Sequence, residues 1–175
     1  MTSTKRNFPA FATPAALCAI ALPCVLAFIG LSAAASPGAS LSRSIDVKGT
    51  PRTVWGIIGG YCAIGEWHPA IGSCTEDGRS PPTRTLHTKD GATFVELQTG
   101  RSDRTFRYSY TFTSSPVPVT HYVSTFKVVA KTRNTSTVIW TGVYLPDPGK
   151  EKAARDALNG IYESGLTAIR AKLAS

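Results

Sequence analysis

Hydrophobic and polar residues alternate from Leu41 to Lys48, and this two-residue period predicts a first β-strand that ends at Gly49. Thr50 and Pro51 then supply a helix cap and a first helical residue. They begin a short amphipathic helix, which ends at Gly59-Gly60 because glycine weakens helices. The stretch from Tyr61 to Trp67 can form another helical turn. Two short helices are therefore expected after the first strand.

From Pro69 to Tyr144 the pattern is nearly all strand. Turn-forming residues interrupt it at intervals of about 10–15 residues, a spacing typical of antiparallel strands joined by hairpins. The interruptions lie at 78–82, 89–91, 100–103, 114–118 and 133–135. The clearest strand, 105–113, has aromatic residues on one face and mostly polar residues on the other. It predicts a sheet with one buried side and one solvated side.

A long amphipathic helix is predicted from Lys150 to Leu173, because apolar residues recur there with a helical period. Gly160 and Gly165 each destabilise a helix interior by roughly 1 kcal/mol relative to alanine. Either a close approach to the sheet or room for a ligand must favour them. Since no helical stretch separates the later strands, the fold class is α+β, with one long helix lying across the concave face of a curved sheet.

The N-terminus has the pattern of a secretory signal peptide. Lys5 and Arg6 precede an apolar run over 15–31 that ends in small residues. These features predict a signal peptide over 1–35 with cleavage after Ala35, a flexible lead-in over 36–40 and one domain over 41–175. An uncleaved membrane anchor is the alternative. With cleavage, the protein is expected to be secreted or periplasmic, without stable membrane insertion.

Charge and composition bear on which ligands the protein is expected to bind. The chain has 19 basic and 11 acidic side chains, and the predicted mature domain keeps a positive net charge that mainly aids solubility. The basic residues are scattered, so no nucleic-acid-binding arm is predicted. The spacing of histidines and carboxylates does not predict a metal site, and phosphate-binding glycine loops are absent, so no cofactor is expected.

Two cysteines, Cys62 and Cys74, remain after removal of the predicted signal peptide. In an oxidising compartment they can form a disulfide bond that closes a short loop. They can equally be two small buried thiols. The sequence leaves both readings open.

Several short segments together resemble the START-like (SRPBCC) superfamily, in particular its polyketide-cyclase and dehydrase-like branch, which is similar to the abscisic-acid receptors. The resemblance extends from about Leu41 to Leu173. It is carried, in order, by Val54–Gly59, Trp67–Ala70, Cys74, Glu96, Arg107–Tyr110, Pro116–Val119, Tyr122, Val138–Trp140 and Ile161–Leu166.

This resemblance implies a helix-grip fold, in which a seven-stranded antiparallel sheet wraps around the C-terminal helix and leaves an internal cavity. In the receptor branch, the positions that match Glu96, Tyr122 and Ser124 line the pocket, and the turn that matches 114–119 lies over its entrance. The receptor's pocket lysine has no clear equivalent, and its acidic residue on the last strand is matched by Trp140. Abscisic acid itself is therefore not the expected ligand.

The candidate site combines inward-facing aromatic residues with a few polar ones. The predicted ligand-binding residues are Trp67, His68, Phe94, Glu96, Tyr108, Tyr110, Tyr122, Ser124, Trp140 and Tyr162. If the Phe94 face of its strand points inward, Glu96 is a buried carboxylate suited to proton transfer or ligand binding. If Val95 and Leu97 face the core instead, Glu96 is solvated.

Glu96 and His68 are the candidate catalytic residues. His68 can serve as a general base or bind a ligand, but a histidine in a packed turn often only bonds the backbone. The tyrosine hydroxyls are expected to need partners, either a ligand or ordered water.

Three functions follow from these patterns. The first is an exported binding protein for a small hydrophobic molecule such as a lipid, an aromatic or a polyketide-like compound. The second is a polyketide cyclase or dehydratase-like enzyme in which Glu96 or His68 transfers a proton. The third is an accessory role with an exported protein partner, for which a cavity filled by side chains would be the indication.

Overall fold

The computed structural model describes residues 38–174, so the predicted signal peptide lies outside the described residues. The strands are β1 (Ala39–Lys48), β2 (Ile71–Glu76), β3 (Thr83–Thr88), β4 (Thr93–Ser102), β5 (Arg107–Ser114), β6 (Val119–Ala130) and β7 (Thr135–Pro146). The helices are α1 (Pro51–Ile58), α2 (Ile64–Trp67) and α3 (Glu151–Lys172). All strand pairs are antiparallel, and the sheet order is β1-β7-β6-β5-β4-β3-β2. The α+β helix-grip architecture is thus confirmed.

The local signals read from the sequence account for the first helices. Thr50 caps α1 by accepting a hydrogen bond from the backbone N–H of Thr53 at 3.3 Å, and Pro51 is the first helical residue. The helix ends at Gly59, whose N–H bonds to the carbonyl of Trp55. β1 begins at Ala39, two residues before the expected start, because Ala39 and Ser40 still pair with β7.

The long helix packs against β1, β7 and α2 and covers the buried face of the sheet. Its buried residues include Leu158, Tyr162 and Ile169, which meet the inward side chains of β6 and β7 in the main hydrophobic core. The alternation that predicted a one-sided sheet is clearest in β7, where alternate residues are buried. None of the helices within residues 38–174 combines the length and apolar character that a bilayer-spanning segment needs.

Two glycines allow α3 to lie close to its neighbours. A Cβ atom on Gly165 would stand 2.7 Å from Cδ2 of His68 and 2.9 Å from Cζ3 of Trp140, which is shorter than any normal contact. A Cβ atom on Gly142 of β7 would stand 2.5 Å from the Tyr162 hydroxyl. Close approach, the first of the two reasons expected from the sequence, therefore explains Gly165. Gly160, by contrast, is exposed and has open space around its Cα.

Candidate functional site

A cavity of about 390 Å³ lies in the domain, and residues from α2, α3 and strands β2 to β7 line it. Most of its wall is apolar, with Leu86 and Phe94 from the β3–β4 hairpin facing Leu158 and Ile161 from α3. Three lining residues are solvent-exposed, namely Ala70, Asp90 and Pro116, and they mark the open side. The volume falls at the lower end of the range for small-molecule sites.

At the buried side of the wall, Glu96 forms an ion pair with Arg84. The two residues face each other across β3 and β4, and their side chains are 5% and 0% exposed. Nε of Arg84 donates a hydrogen bond to Oε2 of Glu96 at 2.6 Å. Nη2 lies 2.6 Å from the same oxygen without the alignment of a hydrogen bond. The inward reading of Glu96 is therefore correct, and Phe94 shares its side of the strand in the cavity wall.

Arg84 is held behind the cavity wall by aromatic residues as well as by Glu96. Its Nη1 donates to the backbone carbonyl of Tyr61. Its guanidinium lies 4.2 Å from the ring centre of Tyr61 and 5.1 Å from that of Tyr110, within range of cation–π attraction. These contacts fix the guanidinium in a position from which it does not line the cavity.

The charges of this pair balance each other. Burial raises the pKa of the Glu96 carboxyl, and the charge and hydrogen bond of Arg84 oppose that rise. Burial disfavours the charge on Arg84, but Glu96 and the neighbouring rings of Tyr108, Tyr110 and Tyr61 together more than offset this, and the pKa of Arg84 is raised. Because a guanidinium keeps its proton in proteins, ionised Glu96 is the state that leaves no bare buried charge.

A chain of hydroxyl groups lies beside the pair. The Tyr110 and Tyr122 hydroxyls are 3.4 Å apart, those of Tyr122 and Tyr162 are 2.7 Å apart, and Ser124 Oγ lies 3.1 Å from Tyr162. Trp140 Nε1 can only donate, and it lies 3.0 Å from both Tyr110 and Ser124. One direction satisfies every donor, running from Trp140 through Tyr110, Tyr122, Tyr162 and Ser124 to the carbonyl of Thr141.

The tyrosine hydroxyls thus bond mainly to one another, rather than needing the ligand or water that the sequence suggested. Burial raises the pKa of Tyr162 to about 12 and holds the pKa values of Tyr110 and Tyr122 well above 10. These phenols are neutral near physiological pH. They serve as fixed dipoles and as a polar seam in an otherwise apolar wall.

His68 is buried with both ring nitrogens engaged by backbone groups. The N–H of Ala70 donates to Nδ1 at 3.3 Å, so Nδ1 carries no proton, and Nε2 must donate to the carbonyl of Ile161 at 3.0 Å. Burial lowers the pKa of His68, and the nearby Arg84 adds to the effect, while the Ile161 bond opposes it. His68 is therefore neutral, and its two hydrogen bonds link the segment after α2 to α3. Its ring forms part of the cavity wall.

Six of the ten residues predicted to bind the ligand line the cavity. These are His68, Phe94, Glu96, Tyr110, Tyr122 and Trp140. The other four lie one layer behind it, because their rings and hydroxyls pack against the lining residues. Trp67 packs edge-on against Trp140 and Tyr108 packs against Tyr110, with ring centres 5.9 and 6.0 Å apart, and Tyr162 stacks on Trp140 at 4.4 Å. Ser124 is part of the hydroxyl chain.

The sequence reasoning missed Arg84, which it treated as one of many scattered basic residues. It also missed apolar wall residues such as Ile71 and Leu86. A usable signal existed for Arg84. The predicted turn at 89–91 centres a hairpin on residue 90, and such a hairpin places Arg84 opposite Glu96 and Leu86 opposite Phe94.

Cys62 and Cys74 form a disulfide bond, with Cα atoms 5.5 Å apart, which resolves the alternative left open by the sequence. The bond links the segment before α2 to β2. Ile64 and Ile71, which line the cavity, lie close to the two half-cystines in the chain. Among residues 38–174, the structure shows no group of three histidine, cysteine or acidic residues arranged to hold a metal ion.

One family model and several solved structures are similar to this chain. A model of the family described as polyketide cyclase/dehydrase and lipid transport matches residues 38–174. The structure of XoxI from Bacillus cereus is similar, with 33% identity and a TM-score of 0.74 over 78% of this chain and 96% of that chain. No curated protein sequence matches significantly.

Two enzymes share the fold at low identity. A ZhuI aromatase/cyclase from Streptomyces sp. R1128 has 12% identity and a TM-score of 0.65 over 78% of this chain and 94% of that chain. Norcoclaurine synthase from Thalictrum flavum, solved with dopamine and hydroxybenzaldehyde, has 13% identity and a TM-score of 0.64 over 78% and 86%. These two show the fold alone. The resemblance to the abscisic-acid receptors is not tested by these relatives and stays a prediction.

Proposed function

The chain belongs to the polyketide cyclase/dehydrase and lipid transport family, and from this premise we propose that it is an exported protein that holds a small hydrophobic molecule in its cavity. The observation that carries the proposal is the cavity itself, about 390 Å³ of space with a largely apolar wall. Transfer of an apolar guest from water into such a space lowers the free energy. Lipids, aromatic compounds and polyketide-like molecules are the classes we expect.

Binding is favoured over proton transfer by the states of the two candidate catalytic residues. Both nitrogens of His68 are bonded to the backbone, and Oε2 of Glu96 is bonded to Arg84. A cyclase or dehydratase would have only Glu96 as a general base, because the tyrosines beside it are held neutral. The alternative of an accessory protein with a filled cavity has less support, since the cavity offers space. A further exported protein partner remains compatible with the binding role.

Export is proposed from the N-terminal pattern, with cleavage after Ala35 and a secreted or periplasmic location. The disulfide bond between Cys62 and Cys74 supports this, because such bonds persist in oxidising compartments. Intact mass measurement of the protein from its native host tests the proposal. We expect a mature chain that starts at Ser36 and has no free thiol. A cytoplasmic chain that retains Met1 and free thiols would contradict it.

Native mass spectrometry of the same material tests the binding role. We expect a bound organic molecule, which solvent extraction releases and which can then be identified. Turnover of that molecule by catalytic amounts of protein would instead indicate the enzyme. Protein that leaves the host empty and binds no apolar compound in titration would contradict the proposed function.

A further inference from the structure

Building on the proposed binding function, we propose that the ligand carries a hydrogen-bond-donating group, such as a phenol, an alcohol or a protonated amine, on an apolar body. The donor is expected to bond Oε1 of Glu96. Carboxylate ligands, including free fatty acids, are expected to bind poorly.

Among the described residues that line the cavity, most polar side-chain atoms have protein partners. Both nitrogens of His68 and the Nε1 of Trp140 are bonded. Thr88 bonds to Asp90 and to the Ala92 carbonyl at the exposed side. The hydrogen bond that the Glu96 carboxylate receives goes to Oε2. Oε1 is therefore the buried acceptor left for a guest.

The charges of the cavity wall also favour a guest that donates a hydrogen bond over a carboxylate. Glu96 and Asp90 line the cavity, and no lysine or arginine is among the lining residues of the described chain. Arg84 lies behind the wall, and Glu96 already neutralises it. A carboxylate guest would lose its hydration, meet no cation and face the charge of Glu96. A guest with a donor would gain a hydrogen bond to a charged acceptor, which is stronger than a neutral one.

The hydroxyl chain adds a second constraint on the guest. Tyr110 and Tyr122 line the cavity, and the 3.4 Å between their hydroxyls is the longest link of the chain. A guest hydroxyl can therefore bridge these two phenols more easily than any other pair. Because hydroxyls both donate and accept, this seam tolerates an alcohol or phenol but offers no fixed positive charge to an anion.

A series of naphthalenes with one substituent at the same ring position tests the inference on the purified protein near neutral pH. Naphthol donates and accepts, methoxynaphthalene only accepts, and naphthoate is an anion. We expect naphthol to bind at least about tenfold more tightly than either of the others, as a hydrogen bond to a charged group would give. Equal binding of the three would overturn this inference and leave the proposed function standing. Failure of all three and of naphthalene to bind would overturn the proposed function.

Two variants test whether the preference for naphthol comes from the Arg84–Glu96 ion pair. Glu96→Gln leaves the positive charge of Arg84 uncompensated beside the cavity, and the order of naphthol and naphthoate should reverse. A double variant, Arg84→Leu with Glu96→Leu, removes both charges and guards against a single variant that fails to fold. It should lose most of the preference for naphthol over methoxynaphthalene, keeping only what the Tyr110 and Tyr122 hydroxyls contribute. Glu76→Gln removes an exposed carboxylate that does not line the cavity, and it should keep the wild-type order. Wild-type selectivity in the double variant would overturn the assignment.

Discussion

At the scale of single residues, the site depends on side chains that the surrounding backbone holds in one state. His68 has one tautomer because Ala70 can only donate to it and the Ile161 carbonyl can only accept from it. Gly165 lacks the one atom that would collide with that ring. Together they hold α3 against the segment after α2, and this closes one side of the cavity.

Two glycines of α3 give a matched test of this packing. Gly165→Ala is expected to lower the free energy of unfolding by about 1–3 kcal/mol, because the new methyl group overlaps His68 and Trp140. Gly160→Ala is expected to raise it by about 0.5–1 kcal/mol, because its surroundings are open and alanine favours helix. Urea unfolding of the two variants measures both values. The same sign of change at both positions would contradict the packing described for α3.

The buried neutral state of His68 predicts a pH dependence of stability. Its pKa in the folded protein is lowered below the ordinary value of 6.5, so the unfolded chain binds a proton that the folded chain resists. Stability from this group is complete above pH 6.5 and is lost as the pH falls below that value. His68→Gln should flatten the decline between neutral and mildly acidic pH in unfolding experiments. A decline of unchanged slope would assign it to other groups, since the carboxylates are present in both proteins.

At the scale of elements, the β3–β4 hairpin shows what sequence reasoning could and could not reach. The turn at 89–91 was predicted, and an inward Phe94 was one of the two alternatives for its strand; together they suffice to place Glu96 inside. They also place Arg84 opposite it, but a lone arginine between threonines resembles an exposed strand residue until strand register is applied. Arg84 becomes the partner of Glu96 only through the pairing of β3 with β4. The alternation of residues within one strand does not show that pairing.

The disulfide bond joins two other elements, the segment before α2 and the edge strand β2. Replacing both cysteines, Cys62→Ser with Cys74→Ser, should lower the free energy of unfolding by about 3 kcal/mol, because the bond restricts the unfolded chain. Reductant should destabilise the wild type by a similar amount and leave the double variant unchanged. Sensitivity of the double variant to reductant, or equal stability of the two oxidised proteins, would contradict this role of the bond.

At the scale of the whole molecule, the fold could be predicted because strand alternation, turn spacing and one long amphipathic helix each indicate the same architecture. The cavity wall was harder to predict. Tyr122, on a strand, and Tyr162, on the long helix, are both predicted to face the ligand, yet Tyr162 stacks behind Trp140 while Tyr122 reaches the cavity. Which aromatic ring becomes wall and which becomes core depends on sheet curvature and on local contacts such as the Gly142 gap. Neither of these can be read from periodicity.

The free space beside Glu96 is expected to take up a guest. Ala157→Phe places a ring into that space from α3, whereas Ala153→Phe adds the same ring to an exposed position of the same helix. Titration with naphthol, on variants shown by unfolding to be native, measures the outcome most directly. We predict that Ala157→Phe weakens binding at least about tenfold, or about 1.4 kcal/mol, while Ala153→Phe binds as the wild type does. Equal affinity of all three proteins would place the guest elsewhere and contradict the account.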